Sequence, residues 1–133
     1  MNIRRLIKEQ LNRQQYLYTL NKAYGDEEVS EYYLDNFCDG LNKMNEHGGE
    51  VYRLVYAQSE SEITEHAPGT HWTAHKETLM GKVDPKGTFV LKGKVLPGSI
   101  DIEQSVELFT QNPEDEAIVL VRYPQIQKQL KVK

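Results

Sequence analysis

Three short segments carry side chains that could do chemistry together. Arg53 sits inside VYRLVYA (51–57), GTHWT (69–73) offers Thr70, His71, Trp72 and Thr73, and PEDEAIVLV (113–121) carries Glu114 and Glu116. A charge on a half-buried strand is costly unless it is paired. Arg53 therefore calls for a structural ion pair, a water-facing edge or an anionic ligand, and a planar, always-charged fork on a rigid strand suits a diphosphate. The hydroxyls and imidazole of GTHWT could hydrogen-bond a ribose and an amide, with Trp72 as a flat stacking surface; a turn around a buried tryptophan accounts for the same residues. Glu114 and Glu116 alternate, so in an extended segment they face the same way, and Glu116 stands where the chain enters its most apolar run. A carboxylate held there can stabilise positive charge on an adjacent carbon, as in oxocarbenium-like transition states. A solubilising acidic loop is the plainer account.

Other chemistries are weaker in this sequence. His66, His71 and His75 lie close together with Glu65 and Glu77 beside them, and His71 and His75 have the spacing of helical metal ligands. The HExxH pattern is absent, however, and Pro68-Gly69 interrupts the segment, so no metal is assigned. HWT supplies one His-x-Thr block of the kind used in pairs by some phosphodiesterases, and there is no second. Tyr16, Tyr18, Tyr24, Tyr32 and Tyr33 crowd the N-terminal part, where tyrosine suits either an interaction surface or a small core.

The order of the three segments resembles the arginine, Ser/Thr-x-Ser/Thr and Glu-x-Glu blocks of ADP-ribosyltransferases of the arginine–serine–glutamate type, over about residues 49–122. The resemblance implies an NAD-dependent protein that cleaves the nicotinamide–ribose bond and transfers ADP-ribose to a protein side chain. Arg53 would hold the NAD phosphates; His71, Trp72 and Thr73 would line the nicotinamide and ribose pocket. Glu116 would be the catalytic glutamate, and Glu114 would resemble the upstream glutamate of members that modify arginine. Where the family has Ser-Thr-Ser or a close variant, this chain has His71-Trp72-Thr73, which leaves Thr73, then His71, as substitutes for the serine hydroxyl. The alternative is a binding or regulatory protein that keeps the fold without turnover.

The elements that must position these residues follow from periodicity. Residues 2–22 predict an amphipathic helix through Ile3, Leu6, Ile7, Leu11, Leu17 and Leu20, stopped between Asn21 and Gly25. Residues 26–46 predict a second, with acids in its first turn and an inward stripe of Val29, Tyr33, Phe37, Leu41 and Met44. After Gly48-Gly49 the period changes to two, and Val51, Arg53, Val55 and Ala57 share one strand face. SESEITEHAPG (59–69) is a loop or short helix, and HWTAHKETLM a short strand running into a helical turn. VDPKG (83–87) is a turn, TFVLKGKVL (88–96) a strand, and 102–111 a helix capped by Asp101. AIVLVRY (117–123) is the most apolar strand and predicts a central place, while 124–133 reads as an edge strand or tail.

Helices first and strands later predict one α+β domain over 1–133: a helical part (1–47) packed on a mostly antiparallel β-rich core (49–123). A chain of 133 residues with 38% apolar side chains can bury one core without staples. The net charge of −4, from 16 basic and 20 acidic residues, argues against a nucleic-acid partner. The single cysteine, Cys38, excludes an internal disulfide. The N-terminal residues lack a signal-like apolar run, and no segment approaches the roughly 20 apolar residues of a membrane span. Together these features point to the cytoplasm.

Overall fold

The computed structural model describes residues 3–56, 71–80, 88–122 and 124–131. The expected loop at 59–69, the turn at 83–87, Thr70 and His66 lie outside the described residues.

Two long helices open the chain, α1 (Ile3–Tyr24) and α2 (Glu27–His47). Asp26 starts the second: its Oδ1 accepts from the backbone N–H of Glu28 at 2.8 Å and of Val29 at 3.2 Å, satisfying two of the donors a helix N-terminus leaves open. An Arg13–Asp35 ion pair at 2.8 Å ties the helices on their outer side. Leu20 and Leu34 are buried between the helices and the rest of the core. The inward stripe of α2 is met at Phe37, Leu41 and Met44, which pack on the core, and departs from its expected place over the first half of the helix. Ser30, Leu34 and Leu41 are buried, whereas Val29 is 38% and Tyr33 43% exposed. A helix lying against both α1 and the later helix at 102–111 buries the residues between those two contacts, and apolar spacing alone does not fix that azimuth.

Gly48 ends α2 and sets the angle into the sheet. It adopts φ 80° and its N–H closes on the Met44 carbonyl at 2.7 Å. A Cβ there would come within 2.8 Å of the Val95 carbonyl oxygen, so only glycine lets the backbone pass so close.

The sheet has five strands in the order β4-β2-β1-β3-β5, every pair antiparallel. They are β1 (Gly49–Tyr56), β2 (His71–Thr73), β3 (Thr88–Val95), β4 (Ala117–Val119) and β5 (Gln125–Lys131). A short helix α3 (Lys76–Met80) follows β2 and packs back against β1. Helix α4 (Ile102–Gln111) precedes β4, with Asp101 Oδ1 accepting from the Gln104 N–H at 3.0 Å. The chain is thus α+β with an antiparallel sheet.

The long β1–β3 pairing sets which residues share a face. Val51 stands opposite Gly93, Arg53 opposite Leu91 and Val55 opposite Phe89. Antiparallel partners project to the same side, and this side meets the helices: Val51, Trp72, Phe89, Leu91, Val95 and Ile118 join Leu20, Leu34, Leu41, Val106 and Phe109 in one buried cluster. Phe37 of α2 and Phe109 of α4 stack at 4.1 Å on the same side.

One expected position is corrected. The apolar run after Glu116 is an edge strand, not a central one; β1 is central. It is buried all the same, because α4 covers it. The buried Ser105 hydroxyl donates to the Asp101 carbonyl at 2.7 Å and accepts from the Val119 N–H at 2.8 Å, and Leu120 bridges to Ile100. Apolar composition reports burial, and burial here comes from a helix rather than from flanking strands. Among the described residues, no helix is long and apolar enough to cross a membrane.

Candidate functional site

The segments singled out in the sequence meet in the sheet. β4, which follows Glu116, pairs with β2, the HWT strand, and β2 pairs with β1, the arginine strand. His71 stands opposite Val119, Trp72 opposite Ile118 and Thr73 opposite Ala117. Three stretches far apart in sequence are therefore consecutive neighbours.

Their side chains do not all face the same way. Thr73 is registered with Tyr52, so Thr73 and His71 project to the side away from the helix cluster. Arg53, Trp72 and Ile118 project to the helix side. Trp72 is 2% exposed and belongs to the core, so it offers no open face for a ligand ring. Thr73 is also buried, at 3% exposure, and its Oγ1 accepts from the His75 N–H at 3.3 Å. The hydroxyl expected to meet the glutamate instead shapes the turn after β2.

Arg53 is half-buried. One of its terminal nitrogens donates to the His71 carbonyl at 2.8 Å, while its Nε is buried with no hydrogen-bond partner among the described residues. Burial lowers the guanidinium pKa from its ordinary value. Among the described residues the β1–β2 ladder carries one registered pair, Tyr52 with Thr73, and the Arg53 side chain takes up a backbone carbonyl of the neighbouring strand.

Glu114 and Glu116 are not aligned on an extended segment. Pro113–Asp115 form a 3₁₀ turn with proline at its start, which suits its fixed φ and missing N–H. Glu116 then adopts the left-handed conformation, φ 46° and ψ 46°, rare and strained for a residue with a Cβ. Glu114 is exposed on the turn. Glu116 points elsewhere: its carboxylate lies 3.2 Å from His75 Nε2.

Glu116 and His75 stand at the mouth of a cavity of about 340 Å³ between α2, α4 and the sheet. Its wall includes Tyr33, Phe37, Met44, Ala74, Phe109 and Ile118. That volume is at the lower end of the roughly 300–1,000 Å³ of small-molecule sites, and the lining is of their usual type, mainly apolar with few polar groups. Of the residues assigned from sequence, Glu116 lines this cavity; Arg53, His71, Trp72, Thr73 and Glu114 do not. Sequence reasoning passed over Ala74, Phe109 and His75 as parts of one site. His75 was visible only as a metal-ligand candidate on a shared helix with His71, whereas His71 is in β2 and His75 precedes α3. Among the described residues, no group of three or more His, Cys, Asp or Glu could hold a metal ion. Compared with known proteins, the chain matches no family model, no curated protein and no solved structure.

Proposed function

We propose that the protein binds NAD as an ADP-ribosyltransferase-type protein, cleaving the nicotinamide–ribose bond and passing ADP-ribose to a protein side chain. The observation that carries this is the contiguity of the arginine, HWT and glutamate strands, with Glu116 turned by its left-handed backbone to the mouth of an aromatic-lined cavity beside His75. The nicotinamide end enters the cavity. Arg53, on the same side of the sheet and two strands over, has an unpartnered Nε for an anionic group. When the glycosidic bond breaks, its electron pair leaves with the pyridinium nitrogen, which becomes neutral nicotinamide. The ribose carbon becomes positive, Glu116 opposes that charge, and a nucleophile on the acceptor forms the new bond at that carbon and gives up its proton to solvent. His75 takes the part expected of the missing serine, holding Glu116 while Thr73 fixes the turn that carries His75.

A second reading, binding without turnover, is favoured by one observation: no Ser or Thr is among the described residues lining the cavity with Glu116. Calorimetry with NAD and a nicotinamide-release assay separate the two. Glu116→Gln is expected to lower release by about one hundred to one thousand fold, the usual effect of removing one such electrostatic contact, with NAD affinity within a few-fold. The charge acts mainly in the transition state, so its loss appears in turnover rather than in binding. Arg53→Ala is expected to weaken NAD binding first. Normal release by Glu116→Gln removes Glu116 from the chemistry. A wild type that binds NAD without releasing nicotinamide selects the second reading, and one that does neither rejects both.

A further inference from the structure

The cavity is longer than the ring placed at its mouth. α2 lines it with Tyr33, Asn36, Phe37, Gly40, Leu41 and Met44, a run of about three turns or about 16 Å of helix. A volume of about 340 Å³ drawn out along that wall makes a narrow space. Its polar groups gather at one end. Tyr33 and Asn36 are exposed, and Glu116 belongs to the same end, because its field reaches Tyr24, which stacks on Tyr33. The other end is apolar. Leu41, Phe109 and Ile118 are buried there. Met44 closes it against the start of β1, where a Cβ on Gly49 would come within 3.2 Å of the Met44 side chain.

Gly40 stands between the two ends. It lies inside α2, where glycine is among the poorest helix formers. No close approach requires it, since a Cβ there would meet no described atom within 4 Å. What the missing side chain leaves is open space on the cavity wall, between the polar mouth and the apolar end. A narrow space with a polar mouth and an apolar end fits a ligand of the same polarity, apolar end first. Methionine suits the far end, because its flexible, polarisable side chain adapts to chains of different length. At the mouth, Glu116 already has His75 at 3.2 Å, so the ligand head has to offer hydrogen bonds rather than a counter-charge. A carboxylate head would meet Glu116 and a net charge of −4.

We propose that the inner part of this cavity is a binding site for a straight aliphatic chain, which passes Gly40 and ends against Met44 while a neutral polar head stays at the mouth. Gly40 is the specificity-determining residue, through the passage it leaves open. The inference does not rest on the NAD reading and gives the deeper part of the cavity a ligand of its own.

The test titrates the intact protein, without NAD, with straight-chain primary alcohols from butanol to dodecanol, followed by the NMR signals of the Met44 methyl and the Tyr33 ring. Each added methylene is expected to tighten binding about fourfold, the worth of one buried CH₂, until the chain meets Met44 and the gain stops. The Met44 methyl signal moves as the chain arrives. A tert-butyl-ended isomer of hexanol is expected to bind about tenfold more weakly than hexanol, from overpacking in a narrow space, and hexanoate also more weakly. Gly40→Leu is expected to stop the gain about four methylenes earlier, the turn of helix between Gly40 and Met44. Its urea midpoint stays level or rises, because leucine is the better helix former; Gly40→Ala shifts the stopping point less and raises the midpoint as well. A series with no gain per methylene overturns the proposal. So does a gain that leaves the Met44 methyl unmoved or that Gly40→Leu does not shorten, which is partition onto the surface. Hexanoate binding as tightly as hexanol overturns the neutral head. A parallel NAD titration keeps the two readings apart: the gain without NAD binding rejects NAD and keeps the chain site, and NAD binding without the gain rejects this inference alone.

Discussion

Glu116 is a residue with a Cβ in the left-handed region, at φ 46° and ψ 46°, and this makes a stability experiment sharp. An L-residue there costs roughly 1–2 kcal/mol relative to the right-handed region. Replacing Glu116 by alanine keeps that strain and removes only the His75 contact, whose side chains are 60% and 37% exposed; pairs so open to water contribute about 0–1 kcal/mol. Replacing it by glycine removes the strain as well, offset by about 0.4–1 kcal/mol of extra unfolded-chain entropy. Glu116→Gly should therefore be more stable than Glu116→Ala by about 1 kcal/mol, or about 4 °C in Tm for a domain of this size, and about level with the natural chain. Thermal and urea melts of the three proteins, followed by circular dichroism, measure it. An alanine variant as stable as the glycine variant would show that the left-handed backbone carries no strain, and that Glu116 has no local conformation to explain. If glycine is tolerated as expected, stability is not what places a glutamate here, and strain held at a position where a carboxylate faces a cavity is a mark of function.

Two further outcomes follow from the helix and strand ends. Asp26→Ala should lower stability by about 1 kcal/mol through loss of the bonds from Glu28 and Val29, with Asp26→Asn close to the natural chain in the same urea titration. Gly48→Ala should cost more than about 1 kcal/mol, because it combines φ 80° with a Cβ 2.8 Å from the Val95 carbonyl oxygen; an alanine variant with an unchanged urea midpoint would contradict the close approach of α2 to β3.

The elements of this fold were legible because each announces itself locally. The change of apolar period at Gly48-Gly49 is the change from α2 to β1, Asp26 and Asp101 cap the helices they precede, and 88–95 and 102–111 fall where their patterns put them. Strand order was less legible, and β4 shows why. Its apolar residues face α4 and the core, and its backbone is held in part by the Ser105 hydroxyl, so an edge strand acquired the composition of a central one. The first half of α2 departs from its apolar stripe for a related reason, while Phe37, Leu41 and Met44 pack on the core where the period puts them. Its helical period gives a stripe, but the packing of α1 on one side and α4 on the other selects Ser30 and Leu34 over Val29 and Tyr33.

The site was legible as a set of segments and not as a set of side chains. That β4, β2 and β1 lie side by side is seen only in the folded sheet; which residue of HWT faces the helices depends on the Tyr52–Thr73 register, and a shift of one residue exchanges every side chain between faces. That register turns Thr73 and His71 away and Trp72 inward. Alternation in an extended chain sets the two carboxylates of the Glu-x-Glu pair in parallel. Pro113 starts a 3₁₀ turn instead, and the left-handed step at Glu116 breaks the alternation, leaving Glu114 exposed on the turn and bringing Glu116 against His75. The two glutamates therefore form two separate groups. The chemistry proposed above, which needs one carboxylate at the ribose carbon, would use Glu116 alone, because the 3₁₀ turn keeps Glu114 off the cavity that Glu116 lines.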